Sequence, residues 1–178
     1  MNSIVIIITG MRKAVHVVIS SVLIFFIILV TVMITYLWGM PIVEKSKDSA
    51  IFESMKVNMN SLCETIKTVS REGEGSERIF ILHIVKGRVY FDGTSDLIFY
   101  ELDTRANVVE QNFTVHEGNL EICGKKSPHG GVIAQIIINC TKFDVDLIAN
   151  ASLGKGYFNI SLINLGLNNS KTMIEVRT

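Results

Sequence analysis

The chain has no excess charge of either sign: Lys plus Arg number 17 and Asp plus Glu number 17 among 178 residues. Nucleic-acid-binding domains are usually basic, so this balance argues against nucleic acid as a partner. Proline is scarce, at 2 residues, and tryptophan scarcer, at 1. The 3 cysteines include no C-x-x-C pair, and His16, His83, His116 and His129 form no recognised ligand pair. The usual spacings of zinc sites and redox dithiols are therefore missing. No G-x-S-x-G or comparable nucleophile motif occurs. Asp144 and Asp146 share one strand face and could hold a cation, but solvated alternation explains them more simply. No catalytic residue, cofactor or metal site is expected, and the chain reads as a non-enzymatic protein.

One long apolar run is present. From Ala14 to Val43 there is no charged residue, and the stretch from Val17 to Trp38 is almost wholly apolar. About 20 apolar helical residues span the hydrocarbon of a bilayer. Tyr36 and Trp38 stand at one end, where amphipathic rings prefer the membrane–water interface, and Arg12 and Lys13 at the other. Positive residues tend to stay cytoplasmic. The N-terminus is therefore expected inside and the chain after Trp38 outside. The run is longer than a secretory h-region, and no small-x-small cleavage site follows it, so the helix is expected to stay in the mature protein. Residues 1–10 are apolar but too few to span. Met11, just before Arg12 and Lys13, reads as the more natural start, or the leader is trimmed.

Gly39 and Pro41 punctuate the helix beyond the run. From about Glu44 to Ser70, Phe52, Met55, Met59, Leu62, Ile66 and Val69 recur at spacings of three and four, the stripe of an amphipathic helix. Its contact is expected to be the protein's own sheet, with a partner as the other choice. Cys63 sits beside it as a buried thiol. The segment 71–77, with Gly73 and Gly75, ends the helix. Its three glutamates argue against a phosphate-binding loop.

Beyond Arg78 the period becomes two. Strands are expected at 79–85, 88–91, 97–102, 108–115, 120–123, 132–140, 143–149, 157–165 and 172–176. Phe158, Ile160 and Leu162 alternate with Asn159 and Ser161, as in a half-buried antiparallel strand. The fold class expected is α+β: a long N-terminal helix, transmembrane then amphipathic, followed by an antiparallel β-sandwich or barrel-like domain. The expected organisation is 1–14 leader, 15–38 transmembrane helix, 39–70 amphipathic continuation and 71–178 extracytoplasmic β-domain.

Five N-x-S/T sequons, at Asn112, Asn139, Asn150, Asn159 and Asn168, all follow the apolar run. Such sequons are N-glycosylation acceptors on extracytoplasmic surfaces. Cys123 and Cys140 end two β segments and could form a disulfide, which that compartment permits.

Arg12-Lys13-Ala14, the apolar helix, its amphipathic continuation and the strands together resemble a type IV pilin, and in particular archaeal pilin-like proteins. The segments 36–45 and 69–78 are similar to the archaeal members. The resemblance implies processing at Arg12, Lys13 and Ala14 by a prepilin peptidase. It also implies partners in copies of the chain or other pilins; the lipid bilayer is expected from the apolar run itself, and a surface-layer protein is a further expected partner. The function expected is a pilin-like structural or adhesion subunit of the archaeal cell surface, able to enter a filament. The alternative is a non-polymerising envelope protein whose β-domain binds a surface layer or an archaellum-type motor complex.

Overall fold

The computed structural model describes residues 19–128 and 130–178. Two compact units divide between Glu44 and Lys45, inside one helix. That helix, α1 (Asn2–Glu72), is described from Ile19 onward and runs through Pro41. The punctuation expected at Gly39 and Pro41 does not occur. Proline removes one i→i−4 hydrogen bond. The loss of that one bond does not end the helix here.

Residues 45–72 of α1 belong to the second unit, with ten strands. These are β1 (Glu77–Ile84), β2 (Arg88–Asp92), β3 (Leu97–Thr104), β4 (Thr114–Glu117), β5 (Leu120–Ser127), β6 (Gly131–Asn139), β7 (Val145–Ile148), β8 (Asn150–Leu153), β9 (Gly156–Asn168) and β10 (Lys171–Arg177). They form a four-stranded sheet, β1-β9-β10-β7, and a six-stranded sheet, β4-β5-β6-β3-β2-β8. Both keep free edges, so neither closes into a barrel. Every pairing is antiparallel except β10 with β7, which is parallel.

One core joins helix and sheets. Phe52, Met55, Met59, Leu62, Ile66 and Val69 are all buried, so the predicted stripe is the contact with the protein's own sheets. Against it lie Leu82 and Ile84 of β1, Tyr100 and Leu102 of β3, Ile136 and Ile138 of β6, and Ile160 and Leu162 of β9. Burying each such side chain contributes about 1.5–3 kcal/mol.

Polar groups fasten the ends of this helical segment. Asp48 accepts from Lys86 Nζ at 2.6 Å and from Thr104 Oγ1 at 2.7 Å, tying it to the β1–β2 turn and the end of β3. At the other end, Gly73 (φ 93°) leaves the helix in the left-handed region that glycine adopts without cost. The buried Asn164 of β9 donates from Nδ2 to the Val69 carbonyl at 2.9 Å and accepts from the Gly166 amide at 2.8 Å.

Two expectations need correction. Residues 108–113 form no strand: Val108 and Val109 pack on the core from a loop, and Asn112 has φ 59°, which breaks an extended backbone. Phe143 lies in a 3-10 turn, Cys140–Phe143, closed by Asp144 at φ 55°.

Candidate functional site

In the first unit the site is a surface. Leu23, Ile24, Phe25 and Phe26 are successive residues that together sweep a full helical turn, and each is 56–62% exposed. No side of α1 is covered between Ile19 and Val43, where Gly39 alone is not classed as exposed. A helix apolar all round is normally a buried core element or a membrane span. Two of its hydroxyls are turned to its own backbone. Thr31 Oγ1 donates to the Ile27 carbonyl at 2.7 Å and Thr35 Oγ1 to the Thr31 carbonyl at 2.8 Å. Hydroxyls satisfied in this way need no water. By length and composition this helix can cross a membrane.

In the second unit the outward side of the four-stranded sheet is unusually apolar. Ile79 and Ile81 of β1 are 69% and 68% exposed, and Tyr157 and Leu167 of β9 are 75% and 77% exposed. Strand alternation directs them outward, because Phe80, Leu82, Phe158 and Ile160 take the inward positions. His83, directly opposite Tyr157, stacks on its ring with centroids 3.9 Å apart and planes within 3°.

Arg12, Lys13 and Ala14, the residues expected to mark processing, lie outside the described residues, as does His129. Of the sequons, Asn112, Asn150, Asn159 and Asn168 are exposed. Asn139 is half-buried, and its Oδ1 accepts from the Thr141 amide at 3.1 Å and from the Thr141 hydroxyl. It is thereby committed to capping the 3-10 turn.

The proposed Cys123–Cys140 disulfide is not formed: Cys63, Cys123 and Cys140 are all free thiols. The β5–β6 register sets Cys123 opposite Gln135, and its Sγ donates to the side-chain Oε1 of Gln135 at 3.3 Å. Cys140 follows the end of β6, five residues farther on. At about 3.3 Å per residue that is roughly 17 Å, well beyond the ~7 Å limit between the Cα atoms of a disulfide. Burial pushes the Cys63 thiol up to about 11 and the Cys140 thiol up to about 12.

Asp144 and Asp146 do not make a cation site together. Asp144 is exposed at the turn, whereas Asp146 turns to Asp96. Asp96, buried at φ 55°, accepts from the Leu147 amide at 3.0 Å and from Lys171 Nζ at 3.2 Å. Burial raises its carboxyl, but the hydrogen bonds from Leu147, Lys171 and Asp146 outweigh that and hold it below the ordinary range. The bond to Asp96 holds Asp146 above that range. Among the described residues no group of three or more His, Cys, Asp or Glu side chains is placed to hold a metal ion.

Sequence reading missed Asp96 and Asn164. Nothing in the Gly93–Asp96 turn announces burial. For Asn164 a signal existed: it continues the inward alternation of Ile160 and Leu162. Comparison with known proteins finds no family model, no curated protein and no solved structure that matches this chain.

Proposed function

We propose that the chain is a pilin-like, membrane-anchored structural or adhesion subunit of the cell surface, with its N-terminus cytoplasmic and residues 71–178 outside. One observation carries the reading: the uncovered, all-round apolar surface of α1 from Ile19 to Val43. Lipid or a bundle of like helices buries such a surface equally well, whereas water penalises it by about 25 cal/mol for each Å² exposed. Arg12 and Lys13 support the orientation by the positive-inside bias. The resemblance of residues 12–14 and of the helix-to-strand order to archaeal pilins supports the structural role.

The experiment has two steps. Alkaline carbonate extraction of native membranes should leave the protein in the pellet, and externally added protease should remove the β-domain in intact cells. Recovery in the soluble fraction overturns the anchor, and protection from protease overturns the orientation. N-terminal sequencing should then find cleavage beside Ala14, and shearing should release the chain in filaments.

A second reading, a non-polymerising envelope protein, is favoured by one observation. Close helix packing in membranes uses small residues, glycine and alanine above all, and between Ile19 and Leu37 α1 has neither, only Ser20, Ser21, Thr31 and Thr35. An uncleaved N-terminus with no sheared material selects this reading.

A further inference from the structure

We infer that Asn159 carries an N-linked glycan, and that its first sugars lie over the apolar outward face of β1 and β9. This rests on the extracytoplasmic placement proposed above. Asn159 lies within a paired strand, directly opposite Ile81. Tyr157 and Ser161 flank it on the same outward face, and Ser161 stands opposite Ile79. The register therefore sets one amide acceptor among Ile79, Ile81 and Tyr157, which rank among the most exposed large apolar side chains of the second unit. The Asn159 side chain is exposed and engages in no hydrogen bond among the described residues. The sequon hydroxyl of Ser161 donates to Glu77 on the neighbouring strand.

Exposed apolar clusters of this kind ordinarily mark a surface that something covers. The occupant here is named by the sequon at the cluster's centre. Adjacent strands are about 4.8 Å apart, roughly the width of one sugar ring, so the first two sugars reach Ile81 and Tyr157. The C–H faces of a pyranose ring are apolar and suit both an aliphatic side chain and the free side of the Tyr157 ring through dispersion contact. The outward hydroxyls present a polar surface to water in place of isoleucine.

The transfer balances simply. Nδ2 of Asn159 bonds to C1 of an oligosaccharide carried on a lipid phosphate. The C1–O bond to the phosphate breaks, the lipid phosphate leaves with the electron pair, and the amide proton passes to a base of the transferase. The acceptor is the chain before β9 pairs, since β1 closes over one side of the strand afterwards.

The test uses full-length protein purified from native membranes. Peptide mapping by mass spectrometry should find the peptide containing Asn159 glycosylated in most molecules. Ser161→Ala should abolish this, and Ser161→Thr should retain it. With its glycan lost, the Ser161→Ala protein should bind several-fold more of a hydrophobic dye and self-associate in mild detergent at unchanged circular dichroism. Adding Ile81→Ser and Tyr157→Ser should reverse that gain. Three results overturn the inference. If Asn112, Asn150 or Asn168 is modified and Asn159 is bare, the placement outside stands and this inference fails. If every sequon is bare and a membrane-impermeant lysine reagent does not reach the β-domain in intact cells, both fail. If Asn159 is glycosylated but dye binding does not change on its loss, the covering role fails.

Discussion

Asp96 sits in the turn before β3 with a left-handed backbone, and its carboxylate joins the Leu147 amide of β7 to Lys171 of β10. Because its carboxyl is held below the ordinary range, the stability it contributes is present above that range and is lost as the pH falls through its folded value. Asp146, held above the range by its bond to Asp96, contributes in the opposite sense, with its stabilisation lost as pH rises. Asp146 is the more exposed of the two, so the Asp96 effect should dominate. Melting temperature in detergent should drop as the pH falls below the ordinary aspartate value of about 4, and Asp96→Asn should flatten the drop while lowering the value at pH 7. An identical pH profile in the variant would remove Asp96 from the account.

The cysteines give a second test at this scale. Cys63 and Cys140 are fully buried with thiols raised by that burial, whereas Cys123 is only half-buried. The thiolate is the reactive form. Iodoacetamide at pH 8 should therefore label Cys123 alone in the folded protein and all three thiols in denaturant without reductant. A 123–140 disulfide would instead leave only Cys63 available in denaturant.

At the scale of elements, α1 divides its duties along its length. Its exposed run from Ile19 to Val43 is expected to face lipid, and its later stripe closes the core. Ile28→Asp places a carboxylate in the middle of that run at a cost of about 3 kcal/mol, close to a hundredfold in partition. A large share of the variant should move to the carbonate supernatant, while the melting of the second unit stays unchanged. Unaltered retention in the pellet would contradict the lipid-facing assignment.

Much of this level was legible in the sequence, because periodicity reports burial directly. The stripe from Phe52 to Val69 and the alternation around Ile160 both appear as read. The failures have physical causes. β8 consists of Asn150, Ala151, Ser152 and Leu153, an edge strand with too little apolar pattern to register. Val108 and Val109 look like strand residues because they are β-branched and apolar, yet they pack half-buried against the core from a loop. The bond from Asn164 to Val69 and the salt bridge from Lys171 to Asp96 join residues far apart in the chain. Local pattern cannot reveal which distant partner a side chain finds. The exposed face of β1 and β9 was only half legible: the alternation foretold the outward turn of Asn159, but the position of Ile81 beside it came only with the register.

For the whole molecule, the two units call for different solvents. The second unit carries its own core, with helix residues 45–72 included. A chain beginning at Lys45 should therefore remain folded without detergent, with a melting temperature within a few degrees of the full-length value. One beginning at Glu77 lacks the stripe that fills both sheets and should not fold. Equal solubility and melting for the two would mean that the helix is dispensable to the core.

β10 lies between β9 and β7, pairing antiparallel with one and parallel with the other. Its residues, 171–177, follow every other strand in synthesis, yet they occupy an interior lane of the sheet. Until they arrive, β9 and β7 each lack a neighbour, and Asp96 lacks Lys171. A chain threaded outward from its anchored end would thus stay open through nearly all of its passage and then close late. That delay would leave the edge of β9 from Ser161 to Asn168 unpaired longest, after β1 has already found its place on the other side.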